Sequence, residues 1–222
     1  DNCAKPLGSL GLLEEMVIRI AALKETEKIC LPKKTLAVFC ADNGVVQQGV
    51  SQSGSEVTAH VTDNLAAGRT SACRMARVAG CRVVPVDMGV LDYPSTKGVL
   101  SRRVRNGTED ITQHPAMTRE EALKAIETGI SLAKELDADL LATGEMGIGN
   151  TTTASAVAAA LLGVSPKEVT GRGAGLSDAG LTKKQAAIET ALALHRPDPK
   201  DPIDVLCKVG GLDLAAMCGM FL

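Results

Sequence analysis

The chain has 222 residues, and 24 lysines and arginines against 26 aspartates and glutamates give a formal net charge of -2. Nucleic-acid-binding surfaces normally carry a basic surplus, so this balance argues against a nucleic-acid partner. No stretch of about 18 apolar residues is present, so we expect no membrane-spanning segment and no membrane partner.

The first part of the chain predicts helices on either side of one strand. Apolar residues recur at spacings of three and four from residue 10 to 24, which indicates a helix with Ser9 as its N-cap. The apolar run TLAVFCAD then predicts a buried strand that ends at Asp42. After a loop rich in glycine and amide side chains, we expect two further helices, near residues 56–66 and 69–79.

The middle of the chain predicts two more strands. The run CRVVPVDMG is expected to form the second strand, which ends at Asp87, and residues 90–117 are expected to be irregular. Thr118 and Glu121 have the spacing of a capping box, which predicts that a helix starts there. The run ADLLATGE predicts the third strand, which ends at Glu145.

The last part predicts helices around a glycine-rich loop. An alanine-rich helix is expected at residues 151–162, and Ser165, followed by a proline, predicts the start of a short one. Thr182 with Gln185 has the pattern of a second capping box. The sequence stops at an apolar segment, residues 220–222, which favours a fragment or an end that a partner covers.

Strands that alternate with helices predict an α/β fold in which helices flank a parallel sheet. The continuous apolar runs support this, because the strands of a parallel sheet are covered on both faces. Residues 1–31 precede the first strand, and we expect them to form the helical part of a small subdomain. Residues 32–222 are expected to form the parallel α/β domain, incomplete at its C-terminal end.

Three predicted strands end in a carboxylate, namely Asp42, Asp87 and Glu145. Parallel sheets bind ligands beyond the carboxyl ends of their strands, so these acids are candidates for a shared crevice. The alternative is that each acid caps the turn or helix that follows it. Capping is favoured for Asp87, whereas ligand binding is favoured for Glu145.

The segment GEMGIGNTT, residues 144–152, combines Glu145 with features of an anion site. Its three glycines permit close approach of the backbone, and Asn150 and Thr151 stand where the next helix begins. Free amide donors, hydroxyls and the helix dipole suit an anion such as phosphate. Glu145 would repel that anion, so we expect it to face a sugar hydroxyl, a cationic ring or an N–H proton. The segment therefore predicts a site for a phosphorylated sugar.

A second glycine-rich loop, residues 171–175, is suited to a backbone nest for an anion. Lys184 is placed to reach the same anion or, alternatively, lies on a solvated helix face beside Lys183. Arg103 and the arginines at 102 and 105 are expected to be surface charges rather than ligand contacts. Seven cysteines without a C-x-x-C pair favour reduced thiols in a cytoplasmic protein, and the three isolated histidines predict no metal site.

Several motifs follow one another along the chain: KPLGSLG at 5–11, CADNGV at 40–45, VTAH at 57–60 with Ser53 before it, GTEDIT and PAMT within 107–118, GEMGIGNTT at 144–152, GRGAG at 171–175 and KVGGLDLAAMCG at 208–219. With these motifs in this order, the sequence resembles the nicotinate-nucleotide–dimethylbenzimidazole phosphoribosyltransferase family. The resemblance covers essentially all 222 residues.

The resemblance implies an enzyme of cobalamin lower-ligand activation. Such an enzyme transfers phosphoribose from nicotinate mononucleotide to 5,6-dimethylbenzimidazole or a related base, and it releases nicotinate and alpha-ribazole 5'-phosphate. The resemblance also implies a homodimer with a Rossmann-like nucleotide-binding domain and a small helical domain, and it implies no cofactor and no metal in the chemistry.

The resemblance further implies roles for individual residues. Glu145 would support catalysis, while the family's usual general base, a glutamate in a G-E-G-S-G-A-like motif, has no counterpart in this sequence. Ser53 would border the base pocket, and Asp42 is expected at the substrate from its place at a strand end. The remaining expected substrate-binding residues are Gly147, Asn150, Thr151, Gly173 and Lys184.

Two other functions are open to the sequence. One is a catalytically inactive, truncated nucleotide-binding module of the same fold, which would hold the nucleotide without turnover. The other is a dinucleotide-binding oxidoreductase, which would need a glycine fingerprint after the first strand, where DNGV stands instead.

Overall fold

The computed structural model describes residues 4–94 and 96–222 of the chain. The chain divides into two compact units, Asp1–Pro32 and Lys33–Leu222. Within the described ranges, no helix is long and apolar enough to cross a membrane.

The first unit contains helix α1, Leu12–Leu23. The prediction that Ser9 caps this helix is wrong, because Gly11 occupies the N-cap position. Ser9 instead donates its backbone N–H to the carbonyl of Pro6, in a turn that precedes the helix.

The second unit is built on a parallel sheet with the strand order β3-β2-β1-β4. Strand β1 pairs in parallel with both β2 and β4, and all three strands occur where the apolar runs predict them. The two-residue strand β3 lies inside the stretch predicted to be irregular, since so short a strand leaves no periodic signal. The strands are β1 Lys34–Ala41, β2 Cys81–Gly89, β3 Leu100–Ser101 and β4 Leu140–Met146.

Helices flank the sheet and confirm the α/β fold. The capping boxes at Thr118 and Ser165 are present, but the one predicted at Thr182 is wrong. Ser177 caps that helix upstream of Thr182, because its hydroxyl accepts the N–H of Gly180. The helices are α2 Glu56–Ala66, α3 Ser71–Val78, α4 Arg119–Glu135, α5 Asn150–Leu162, α6 Pro166–Val169, α7 Asp178–His195, α8 Pro202–Val209 and α9 Leu212–Phe221.

Helices α4 and α9 pack against each other at glycine contacts. A Cβ on Gly129 of α4 would collide with the carbonyl oxygen of Ala216, and one on Gly219 of α9 would collide with that of Ile126. Helix α9 also packs against β1 and β4. Its first turn is thereby brought to the sheet, near the carboxyl ends of the strands.

Candidate active site

The loop between β4 and α5 is held closely against the end of β1. Glu145 is the penultimate residue of β4, and a short loop leads from it to the start of α5. A Cβ on Gly147 would collide with the carbonyl oxygen of Ala41, and Gly149 has a φ of 91°. Glycine is the residue that tolerates both conditions, so the predicted close approach of the backbone is confirmed at these two positions.

Asp42 organises this loop from the end of β1. Its side chain is buried, and its Oδ1 accepts the hydroxyl of Thr58 at 2.6 Å while its Oδ2 accepts the N–H of Leu91 at 2.8 Å. The same Thr58 hydroxyl accepts the N–H of Ile148 at 3.0 Å. Burial raises the pKa of Asp42, and the hydrogen bond from Thr58 partly offsets this. Both carboxylate oxygens are thus bonded to protein donors, and a contact of Asp42 with substrate stays a prediction.

Asp87 has the capping role that the sequence favours for it. Its Oδ1 accepts the N–H of Val90 at 2.9 Å, and its Oδ2 pairs with the guanidinium of Arg103 at 3.1 Å. Arg103 is half-buried rather than a freely solvated charge, and it also donates to the carbonyl of Tyr93; that it makes no ligand contact stays a prediction. Arg103 therefore compensates one of the carboxylates at this end of the sheet.

Glu145 differs from these two acids because it lacks such donors. In the described part of the chain, its Oε2 is buried and has no hydrogen-bond partner. Burial raises the pKa of Glu145. A carboxylate in this state is available for a group that binds from outside, which is the arrangement expected of a ligand-facing acid.

A fourth carboxylate, Asp213, joins the site from the first turn of α9. It is fully buried, its Oδ1 accepts the N–H of Leu214 at 2.9 Å, and its Oδ2 has no partner among the described residues. Burial raises the pKa of Asp213 to about 7, and the nearby charge of Glu145 contributes to this rise. The sequence analysis missed this residue, although a single acid inside the apolar segment GGLDLAAM was a signal for it.

Lys184 supplies a buried positive charge on the other side of the loop. Its Nζ donates to the hydroxyl of Thr151 at 2.7 Å and to the carbonyl of Gly171 at 3.2 Å. Only 1% of the residue is exposed, so the alternative of a solvated helix face is wrong. Burial lowers the pKa of Lys184. Both of these partners are neutral, and a buried ammonium group with neutral partners favours the binding of an anion.

Gly173 completes the surroundings of this ammonium group. It has a φ of +54°, and a Cβ there would lie 2.8 Å from the Thr151 hydroxyl and 3.4 Å from the Lys184 Nζ. The glycine-rich loop and the start of α5 therefore meet at Lys184. No other residue type could hold this backbone conformation without strain and without filling that space.

The prediction of free amide donors at the start of α5 is wrong for several of the amides. Asn150 donates its N–H to the carbonyl of Gly147, and Thr152 donates to that of Gly149. The Thr151 N–H is bonded by the side-chain oxygen of Asn150 at 2.8 Å. An anion here would consequently rely on Lys184, on hydroxyl groups and on the helix dipole.

Ser53 lies in an exposed loop that reaches the second glycine-rich loop. Its neighbour Gln52 donates its side-chain amide to the carbonyl of Gly175. Gln52 thus connects this exposed segment to the second glycine-rich loop. The border of Ser53 with a base pocket stays a prediction.

Two other features do not belong to this site. Among the described residues, no group of three or more His, Cys, Asp or Glu side chains could hold a metal ion. A cavity of about 530 Å³ contains none of the expected site residues and has no part in the chemistry below. It is lined by Arg105, Glu109, His114, Pro115, Met117 and Thr118.

Comparisons with known proteins identify the family. A family model described as "Phosphoribosyltransferase" matches residues 1–222. Relatives named nicotinate-nucleotide–dimethylbenzimidazole phosphoribosyltransferase are 49% identical over 225 residues in Ruminiclostridium cellulolyticum and 50% identical over 226 residues in Chloroflexus aggregans. The match takes in 100% of this chain and 64% of each relative, so the chain spans somewhat less than two thirds of their length.

A solved structure agrees with the sequence relatives. The crystal structure of CobT from Thermus thermophilus superimposes with a TM-score of 0.90 at 42% identity, over 100% of this chain and 67% of that one. Both the fold and the order of motifs are therefore shared with proteins of this kind. The chain belongs to this family of phosphoribosyltransferases.

Proposed function

We propose that the protein containing this chain transfers phosphoribose from nicotinate mononucleotide to 5,6-dimethylbenzimidazole or a related base. The products are nicotinate and alpha-ribazole 5'-phosphate, in the assembly of the cobalamin nucleotide loop. One observation carries the proposal: the short loop after β4 runs from Glu145, whose buried Oε2 has no hydrogen-bond partner among the described residues, to Thr151, whose hydroxyl accepts a hydrogen bond from the buried ammonium group of Lys184. A sugar phosphate has an anionic end and, as its leaving group departs, a cationic end.

The phosphate binds at Lys184. The ammonium group and the hydroxyl of Thr151 donate to the phosphate oxygens, and Gly173 leaves the space that the phosphate needs. The N-terminus of α5 adds a partial positive charge at the same place. Asn150 keeps the start of this helix in position, because its side-chain oxygen holds the N–H of Thr151.

Glu145 stabilises the anomeric carbon. Nicotinate leaves from that carbon, and positive charge grows on the ribose in the transition state. A carboxylate that is already in place and partly desolvated stabilises such a charge more than water does. Gly147 fixes the position of this carboxylate by letting the loop touch β1.

Some of the groups that hold and deprotonate the incoming base belong to this chain, and the others do not. An azole becomes nucleophilic when a carboxylate removes its N–H proton. In this proposal Ser53 borders the base, Asp42 holds the loop that faces the substrate, and the general base is a glutamate of a segment that this sequence does not include. The working protein is a cytoplasmic homodimer that uses no cofactor or metal.

The substitution Glu145→Gln tests the proposal. In the protein that contains this chain, we expect turnover to fall roughly 100-fold while the KM for nicotinate mononucleotide changes little, because the lost charge acts mainly in the transition state. Formation of ribazole phosphate is measured by mass spectrometry. Glu127→Gln is the matched control, since Glu127 is exposed on α4.

Two results would contradict the proposal. Equal turnover of Glu145→Gln and wild type would remove the charge-stabilising role of Glu145. Absence of product from wild-type protein, with a range of benzimidazoles and phenols offered as the base, would remove the transferase function. Binding of the mononucleotide without product would then support the inactive nucleotide-binding module.

A further inference from the structure

Asn43 is a buried amide beside the site that the chemistry above does not use. It follows Asp42 beyond the end of β1, and only 1% of it is exposed. Its side-chain nitrogen donates to the carbonyl of Ile148 at 3.4 Å, and its side-chain oxygen lies 3.4 Å from the hydroxyl of Thr153. That hydroxyl also donates to the carbonyl of Asn150 at 2.9 Å. Asn43 therefore contacts both the loop between β4 and α5 and the beginning of α5.

Ile148 is the middle residue of that loop, and both of its backbone polar groups are held. It lies three residues after Glu145 and three before Thr151. Its N–H donates to the hydroxyl of Thr58 at 3.0 Å, and its carbonyl accepts the amide of Asn43. The position of Ile148 sets how far the carboxylate at one end of the loop lies from the hydroxyl at the other. Asn43 is thus one of the two side chains that fix this separation.

The backbones of three glycines enclose the Asn43 side chain. A Cβ on Gly149 would lie 3.1 Å from the Cβ of Asn43, and one on Gly147 would lie 3.2 Å from its side-chain nitrogen. A Cβ on Gly211, the residue before α9, would lie 2.9 Å from its side-chain oxygen. These distances are shorter than ordinary contacts between carbon and its neighbours, so the absence of side chains at these positions makes room for this amide.

We propose that Asn43 is a positioning residue that fixes the distance between Glu145 and the phosphate site at Thr151 and Lys184. This inference rests on the function proposed above and adds a residue to it. The amide acts on the backbone of the loop and does not touch the substrate. By holding Ile148, it keeps the carboxylate and the ammonium group at the separation that a bound sugar phosphate requires.

The first kinetic test is Asn43→Leu in the protein that contains this chain. Leucine has a similar size but neither donates nor accepts a hydrogen bond, so the carbonyl of Ile148 loses its partner. We expect turnover to fall roughly 100-fold, as for other misplaced catalytic groups. The KM for nicotinate mononucleotide should change less than roughly threefold, because Lys184 and Thr151 still bind the phosphate. Formation of ribazole phosphate is measured by mass spectrometry.

The second kinetic test is Asn43→Asp, which alters only the donor. The new oxygen donates to the carbonyl of Ile148 when it is protonated and repels it when it is ionised. Burial raises the pKa of a carboxyl group at this position, and so do the charges of Asp42 and of Asp213, whose Oδ1 faces the same point of Gly211. Relative to wild type at the same pH, we expect at least roughly a third of the turnover near pH 5 and a fall of at least roughly tenfold by about pH 8.

Asn64→Leu and Asn64→Asp are the matched controls, since Asn64 is a partly exposed asparagine on α2. Both should show wild-type kinetics at each pH. Wild-type turnover in Asn43→Leu, or a loss that appears in KM alone, would overturn the positioning role. A relative turnover of Asn43→Asp that does not depend on pH would do the same, and this measurement suffices should Asn43→Leu not fold.

Hydrogen exchange of the backbone amides, measured by mass spectrometry without substrate, separates this inference from the proposed function. In Asn43→Leu we expect residues 144–153 to exchange at least roughly tenfold faster than in wild type, while α4 keeps its wild-type rate. Unchanged exchange of residues 144–153, or an equal increase in α4, would overturn the positioning role even in an active transferase. Faster exchange confined to the loop, in a protein that forms no product, would contradict the proposed function and support the role of Asn43.

Discussion

Thr58 connects three parts of the site through one hydroxyl group, and Thr58→Val removes that group with almost no change in shape. The hydroxyl of this buried residue on α2 donates to Asp42 at 2.6 Å and accepts the N–H of Ile148 at 3.0 Å. Valine leaves a buried carboxylate oxygen and a partly buried N–H without these bonds. Each such loss costs about 1–3 kcal/mol, and the bond to the carboxylate lies at the upper end. We therefore expect the free energy of unfolding to fall by about 4 kcal/mol.

Two further variants separate the hydroxyl group from the methyl group of Thr58. Thr58→Ser keeps both hydrogen bonds and loses only a methyl group, at a cost of about 1 kcal/mol. Thr128→Val removes a hydroxyl that donates to a carbonyl on the exposed face of α4, and we expect a change within about 0.5 kcal/mol. The difference in free energy of unfolding between the valine and serine variants at position 58 thus measures the contribution of the two buried hydrogen bonds.

Urea unfolding of the protein that contains this chain, followed by circular dichroism, is the assay. A loss of about 4 kcal/mol lowers the midpoint by roughly 1–2 M urea. If Thr58→Val and Thr58→Ser unfold at midpoints that agree within error, the hydroxyl group is not what holds the Asp42 and Ile148 segments together. That result would refute the description of Asp42 as the organiser of the loop.

Two more predictions concern packing and pH. Gly129→Ala in α4 should lower the free energy of unfolding by about 2 kcal/mol, because overpacking against Ala216 outweighs a gain of about 1 kcal/mol in helix propensity. Gly171→Ala, in open space, should change this free energy little in the same urea-unfolding assay. The folded-state pKa of Asp213 is raised from 3.8 to about 7, so its contribution to stability is complete below pH 3.8 and is lost as the pH rises to about 7. At about 1.4 kcal/mol per pH unit this loss approaches about 4 kcal/mol, and Asp213→Asn should lack it in unfolding experiments at about pH 4 to 8; parallel curves for the two proteins would contradict the assignment.

The positions of the strands and of the main loop could be predicted from sequence because they depend on local signals. Apolar runs locate β1, β2 and β4, and the glycines of the loop after Glu145 indicate the contact with β1. The order of the motifs gave the family. These features need only the residues that lie within one segment.

The remaining features depend on contacts between distant segments. Lys184 could equally lie on a solvated helix face by sequence, and only the packing of α7 buries it against Thr151. Asp213 lies far along the chain from Glu145, so no short pattern connects the two. The amides at the start of α5 were predicted to be free, but local bonds within the loop, including one from the Asn150 side chain, occupy several of them.

The glycine contact between α4 and α9 has a consequence for how this site tolerates sequence change. Helix α9 carries Asp213 in its first turn and Gly219 near its end. The position of the Asp213 side chain therefore depends on the glycine contact with α4, which lies about 9 Å away along the helix axis. A larger residue in place of Gly219 would tilt α9 and displace Asp213 without contacting any reacting group. Substitutions in this buried helix contact should therefore change catalysis as readily as substitutions of the residues that face the nucleotide.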